Sequence, residues 1–364
     1  MNIFINGRFL SQSLSGVQRF ALEIVKAIDA LIETDQMPAA LRKASWTLLI
    51  PPNCTTDIQL RNIRLSEVGR RTGHAWDQID LAWASRSGIL LSLCNSGPIF
   101  HRKHHVVIHD AQVFRHPEFF SRKYAFFHRG LGRLLALTSR IMTVSEFSRS
   151  ELSEILSLSS DDIVVCPNSA DHLAGIDADE FVLERFSLAR GRFFLMLGSL
   201  KKNKNIEVAV AAANSIPEEY PLVIVGSKNE KIFSGGGLDT SRGALQQNVI
   251  FTGELSDRAI VALYRHATAF VFPSLYEGFG VPVLEAMLFG CPLIVSDIQV
   301  LHEICGDAAD YVDPRSPQEL ASLMDARTEK GGLTDRERSK QQARLSRYSW
   351  HSSALIVLGS LASN

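Results

Sequence analysis

Residues Tyr276–Asp297 read YEGFGVPVLEAMLFGCPLIVSD. The apolar run just before them, AFVFPS (269–274), predicts a strand ending at Pro273 and Ser274, and Leu275–Gly280 then reads as a loop. Pro282 suits a first helical turn, where its missing N–H is one of the donors left unpaired anyway. The helix continues through VPVLEAMLF, Gly290 ends it, and PLIVSD starts the next strand. The stretch is therefore strand, glycine loop, helix start. Glycines let backbone amides come close to a ligand, and the unpaired amides of a helix start favour phosphate. Glu277 lies on the loop and Glu285 about one turn into the helix, so two acids flank the amides at different depths. Carboxylates make poor phosphate ligands and good acceptors for sugar hydroxyls. A diphosphate between two sugars uses every part: one sugar near Glu277, a ribose near Glu285, and phosphates at the amides between.

The same rhythm runs outward in both directions. NIFIN, WTLLIP, GILLSL, HVVIHD, RIMTVS and DIVVCP read as strands in the first half, separated by helical patterns such as SGVQRFALEIVKAIDALI and RKYAFFHRGLGRLLALTS. RFFLMLG, PLVIVG, NVIFTG, TAFVFP and PLIVSD restart the series in the second half. Continuous apolar strands alternating with helices imply parallel sheets covered on both faces. Two such sets imply two doubly wound α/β domains, with the boundary in the polar, acidic stretch 168–190. In such sheets ligands bind beyond the carboxyl ends of the strands, so the expected site is a cleft that the two domains face.

The 364 residues exceed one ordinary core of about 150 residues. A net charge of -1 gives no reason to expect nucleic acid. Residues 1–175 carry 19 lysines and arginines against 16 acids, which places the mild basic excess in the first half. The five cysteines form no Cys-x-x-Cys pair, which argues against a zinc site and for reduced thiols in the cytosol. MNIFINGRFL lacks the order of a signal peptide, and no uncharged apolar run reaches membrane-spanning length; the expected location is cytoplasmic. Asp177-Ala178-Asp179 is formally a DxD metal motif, but it falls in the linker with no strand before it and reads as solvated charge, so no metal is expected. Gly235–Gly237 has no Lys-Ser/Thr after it and is no P-loop. HRKHH (101–105) and RKYAFFHRGLGRLLALTSR (122–140) mix basic and aromatic residues; the second reads as a helix with a solvated basic face, or one that touches anionic lipid or a lipid diphosphate.

In full context, PSLYEGFGVPVLEAMLFGCPLIVSD resembles the signature of the retaining glycosyltransferases of family GT4, mannosyltransferase-like branch, with the GT-B fold of two Rossmann-like domains. The resemblance extends along the chain. SGVQRFALEIVKAI (15–28) is similar to the family's N-terminal glycine loop and first helix, VVIHDAQVFRHPEFFS (106–121) to its His-Asp segment, and IMTVSEFSRSEL (141–152) to its strand-to-helix turn. MLGSLKKNKNIEVAV (196–210) is similar to its phosphate-binding loop, and SWHSSALIVLGSL (349–361) to the closing helix that returns to the N-terminal domain. This implies an acceptor-side domain over 1–172, a donor domain over 173–347, and a helix within 348–364 that rejoins the first. Two departures stand out: Ser169 where the family has glycine after Pro-Asn, and Ser199 where many members have arginine.

The resemblance implies roles for particular residues. Lys204 meets the donor diphosphate as a point charge. His109 and Glu277 hold the donor sugar; with Lys204 they form the catalytic set. The donor rests on Gly16, Ser199, Lys204, Glu277, Gly278, Phe279, Gly280, Val281 and Glu285. Asp110 orients its loop or caps the next segment, Arg19 reaches the cleft or pairs with Glu23, and Glu303 is structural. The implied reaction moves a sugar, mannose first, from a nucleotide-diphosphate donor, GDP-mannose first, to a hydroxyl on a glycan or polyprenyl-diphosphate-linked oligosaccharide in surface polysaccharide assembly. It proceeds with retained configuration, without metal or other cofactor, and with peripheral membrane contact through the N-terminal domain. The rival readings are a nucleotide-sugar epimerase of the same fold and a donor-binding subunit without turnover.

Overall fold

Short apolar runs become strands here because both faces of each sheet are covered. The computed structural model of the chain describes residues 1–55, 57–198, 201–226 and 248–363. It divides into two units: Met1–Asn168 with the closing helix, and Ser169–Arg347.

In the first unit seven parallel strands lie in the order β3-β2-β1-β4-β5-β6-β7. They are β1 (Asn2–Asn6), β2 (Ser45–Ile50), β3 (Arg64–Glu67), β4 (Ile89–Ser92), β5 (His104–Val107), β6 (Arg140–Thr143) and β7 (Val164–Val165). Phe4 stands opposite Thr47 on one side and Leu90 on the other, and every residue of β4 and β5 is buried. The helix Trp350–Ala362 packs on the helix Gly16–Leu31. Trp350 meets Phe20 edge-on at 5.9 Å, and Ser353 Oγ donates to the Pro167 carbonyl at 2.6 Å. Val357, Leu358 and Leu361 are buried in the same contact, each worth about 1.5–3 kcal/mol of removed apolar surface.

The second unit has six parallel strands in the order β10-β9-β8-β11-β12-β13. They are β8 (Phe194–Leu197), β9 (Leu222–Val225), β10 (Val249–Gly253), β11 (Ala269–Phe272), β12 (Leu293–Ser296) and β13 (Asp310–Val312). One core cluster runs from Phe194 and Met196 through Ala209 and Ala213 to Val271, Ile294 and Met324.

Strand order fixes where ligands fit. Each sheet reverses its winding once, between β1 and β4 and between β8 and β11. At such a reversal the flanking loops leave in opposite directions and open a crevice at the carboxyl ends.

Several details differ from the sequence reading. β3 and β13 were not foreseen: RLSE is largely exposed and DYV is a short edge, so neither carries an apolar signal. DIVVCP shortens to the two residues of β7. HRKHH is basic at its surface only through Arg102 and Lys103. His101, His104 and His105 are buried, the last two on β5, and His104 is held between Ser92 Oγ at 2.9 Å and Ser139 Oγ at 2.8 Å. Burial, with His101 and His105 adding to it, lowers the His104 pKa to about 3 and keeps the ring neutral. Gly235–Gly237 lies outside the described residues.

Candidate active site

At the second unit's reversal, the loop after β8 and the loop after β11 are stitched together. The first forms a tight turn, Lys202–Lys204, and enters the helix Ile206–Ala213 through Asn205 at φ 55°. This left-handed backbone suits asparagine better than most side chains. Asn205 Nδ2 donates to the Pro273 carbonyl at 3.0 Å and the Pro314 carbonyl at 2.6 Å. The Asn203 carbonyl accepts from Leu275 N at 2.8 Å, and its side-chain amide donates to the Tyr276 carbonyl at 3.3 Å. Both asparagines are buried. Sequence reading took KKNKN for its lysine and overlooked these amides, which set where the lysine stands.

Lys204 Nζ lies 2.6 Å from Glu277 Oε1 and 4.8 Å from the centre of the Phe272 ring. Its stem runs over Gly198, where an added Cβ would come within 3.2 Å of Lys204 Cγ. The sequence assigned lysine and glutamate to different parts of a ligand; the structure joins them in one charge-assisted pair. An ammonium has three donors, and Glu277 takes one, so the pair can still turn donors toward a phosphate while Glu277 orients the head.

The loop closes onto the helix Val281–Leu288, with Pro282 in its first turn. Gly280 sits at φ 100°, and an added Cβ would meet Leu301 Cδ2 at 3.0 Å, so both backbone and space demand glycine. Phe279 is buried beside it. Ser274, two residues beyond β11, buries a hydroxyl with no hydrogen-bond partner among the described residues. Gly290, at φ 66°, follows the helix end as expected.

Glu285 is held from two sides. Tyr264 Oη donates to its Oε2 at 3.0 Å, and His172 Nε2 lies 3.4 Å from its Oε1. Burial, reinforced by the Glu285 charge, raises the Tyr264 pKa well above its usual value, so the phenol stays a donor. Neither partner was legible in the sequence: Tyr264 lies on the core side of a helix, and His172 in a stretch read as linker.

The first unit's reversal carries a buried polar network. Arg8 Nε lies 3.1 Å from Asp77 Oδ2, Asn6 Nδ2 donates to Asp77 Oδ1 at 3.2 Å, and Ser96 Oγ donates to Asp77 Oδ2 at 2.6 Å. Asp77 is fully buried, in a π-helical turn over Trp76–Leu81. Sequence reading missed this network too, since its members are scattered over some ninety residues. His109 follows β5 beside it. Its backbone N–H donates to Asn95 Oδ1 at 2.7 Å, and its Nε2 lies 2.8 Å from the Leu93 carbonyl. A carbonyl only accepts, so the proton sits on Nε2 and Nδ1 is the acceptor. The ring is 5% exposed and edge-on to Phe20 at 4.9 Å. Burial pulls its pKa down to about 4, against the opposing effect of the Leu93 bond. His109 is thus a neutral, fixed side chain, less open than the sequence reading assumed.

The remaining expectations fall out as follows. Asp110 Oδ1 accepts from Gln112 N at 2.8 Å and caps the next turn. Gly16 is the first residue of its helix, and an added Cβ would touch nothing within 4 Å. Arg19 lies 3.9 Å from Glu23. Asp179 caps Phe181 N at 3.2 Å, and among the described residues no group of three His, Cys, Asp or Glu could hold a metal ion. The Glu303 carbonyl accepts from Arg344, a structural contact. Ser199 lies outside the described residues.

Known proteins resemble this chain in fold and sequence. WaaG, a glycosyltransferase of lipopolysaccharide biosynthesis, superposes over all of both chains with a TM-score of 0.72 at 13% identity. Anabaena HepE in complex with UDP and glucose superposes over all of this chain and 99% of its own, with a TM-score of 0.74 at 14% identity. O-antigen chain mannosyltransferase B of Escherichia coli is 29% identical over 351 residues, covering 89% of this chain and 91% of that one. O-antigen chain mannosyltransferase RfbU of Salmonella typhimurium is 29% identical over 223 residues, 61% of this chain and 60% of its own. Two all-parallel, once-reversed sheets with these likenesses define the GT-B fold. Residues 184–346 match the model of the family described as glycosyl transferases group 1.

Proposed function

We propose that this protein transfers mannose, with retention, from GDP-mannose to a hydroxyl of a glycan or polyprenyl-diphosphate-linked oligosaccharide during surface polysaccharide synthesis. The observation that carries the reading is the Lys204–Glu277 pair at the reversal of the second sheet, flanked by the Gly278–Gly280 loop and by Glu285. The O-antigen mannosyltransferases among its relatives support the sugar and the pathway class. In the reaction the acceptor oxygen bonds to the anomeric carbon as the bond from that carbon to the diphosphate breaks, and the acceptor proton passes to the departing phosphate oxygen. Lys204 and the amides of the glycine loop stabilise the charge that grows on the leaving group. Glu277 and His109 orient the sugar, and Glu285 accepts from the ribose. No helix of the described residues is long and apolar enough to cross a membrane, and the acceptor is met by peripheral contact through the first unit.

Radiolabelled GDP-mannose, UDP-glucose and dTDP-sugars offered with and without lipid-linked glycan acceptors test this directly. Transfer of mannose from GDP-mannose, with retained anomeric configuration by NMR, is expected. Rearranged donor without acceptor would point to an epimerase, and unreacted donor with every acceptor to a binding subunit. Excess EDTA should leave turnover largely intact. Complete loss restored by manganese or magnesium would overturn the metal-independent mechanism.

Glu285 supplies a sharper test. Glu285→Gln keeps the shape and weakens a charged acceptor, so nucleotide binding should fall by about 1–3 kcal/mol, or roughly 5- to 150-fold. Free GDP should lose as much as the donor, since both carry the ribose. Calorimetry giving unchanged GDP affinity would take Glu285 out of the site.

A further inference from the structure

The helix Arg122–Thr138 leaves a concave surface that the proposed chemistry has not used. With Pro117 and Phe120 on the segment leading from β5, it walls a cavity of about 680 Å³. Arg122, Arg129 and Arg133 line it, spaced seven and four residues apart and so on one helical face. No carboxylate lies within ion-pair distance of any of the three among the described residues, and the Arg129 Nε is buried with no hydrogen-bond partner there. The one acid on the lining, Glu118, lies 3.1 Å from His116 Nδ1. Phe126 on the same face is 85% exposed, and Leu137, further along it, is 81% exposed. Of these two, Phe126 lines the cavity and offers apolar surface beside the arginines.

We infer that this cavity holds the diphosphate of a prenyl-diphosphate acceptor, with the first isoprene units against Phe126. The inference rests on the proposed transfer to a lipid-linked acceptor and places that acceptor's head. Guanidinium groups bind phosphate oxygens in bidentate fashion, and three cations around one hollow match two adjoining phosphates. A phospholipid headgroup layer would need only an exposed basic face, whereas these arginines converge on a cavity. Arg129, poorly placed for water at its Nε, gains the partner it lacks.

Calorimetry on the full chain with geranyl diphosphate, the nucleotide site saturated with GDP, tests this. Wild type should bind geranyl diphosphate, inorganic diphosphate more weakly, and geraniol hardly at all. Arg129→Gln and Arg133→Gln should each weaken geranyl diphosphate at least about tenfold and leave GDP affinity unchanged. Arg133 is exposed, so its variant keeps the test valid if Arg129→Gln destabilises the fold. Absence of binding to wild type, or binding that both variants leave intact, overturns the site. So does a variant that loses only adsorption to phosphatidylglycerol vesicles while still binding geranyl diphosphate, because that marks a headgroup surface. If geranyl diphosphate binds through these arginines but no lipid-linked acceptor ever receives sugar, the site stands and the proposed function fails.

Discussion

Lys204→Ala should reduce transfer about 10²-fold or more, the loss typical when one preorganised charge facing a leaving group is removed, and should weaken free GDP as well. The structure adds a second effect. With the ammonium gone, Glu277 becomes an unpaired carboxylate, 13% exposed, where a diphosphate is to bind. Lys204→Ala therefore removes an attraction and uncovers a repulsion. Adding Glu277→Gln should recover part of the nucleotide affinity while transfer stays low. Residues in direct contact couple by about 0.5–3 kcal/mol, and calorimetry on the two single variants and the double variant measures that coupling. Normal GDP binding by folded Lys204→Ala would show that the KKNKN loop is no phosphate site. Strictly additive losses would show that the pair does not act as one.

His109→Ala should also reduce transfer about 10²-fold, but with GDP affinity nearly unchanged, because the free nucleotide lacks the sugar that His109 is proposed to orient. The burial of the ring gives this a pH signature. Its folded pKa of about 4 lies below the ordinary 6.5, so the unfolded chain takes up a proton first as pH falls. His109 therefore favours folding fully above about pH 6.5 and loses that contribution as pH drops toward 4. The transfer rate should accordingly show no acid limb from this histidine between pH 7 and 5, while stability declines over that range and declines less in His109→Ala. Thermal unfolding across pH must accompany the kinetics, since the ring also packs on Phe20. Normal transfer by the folded variant would make His109 structural. A rate limb near pH 6 that disappears in the variant would contradict its neutrality.

Much of the fold was legible because parallel strands buried on both faces are written as continuous apolar runs. AFVF and LIVS show that pattern, and Gly280 and Gly290 punctuate the segment between them where positive φ is required. The edges were not legible: RLSE and DYV pair on one side only and need no apolar signal. In the site, charges at strand ends were visible and their supports were not. Asn203 and Asn205 look like ordinary turn residues until their amides are seen to hold residues 68 and more positions away. Tyr264 and His172 meet Glu285, and Arg8 meets Asp77, only after the sheets assemble. Pairing of this kind depends on topology, which local spacing does not encode.

The closing helix carries an implication for biogenesis. Because Trp350–Ala362 packs on the helix Gly16–Leu31 and belongs to the first unit, Ser169–Arg347 is an insertion within a discontinuous domain. On the ribosome the inserted unit has its entire sequence available before the unit that begins the chain does. Domains tend to fold as they emerge, so the second unit can mature while the first still waits for its last helix. A nascent chain arrested short of Trp350 would then already hold a folded second unit, with the first held in a partly assembled state.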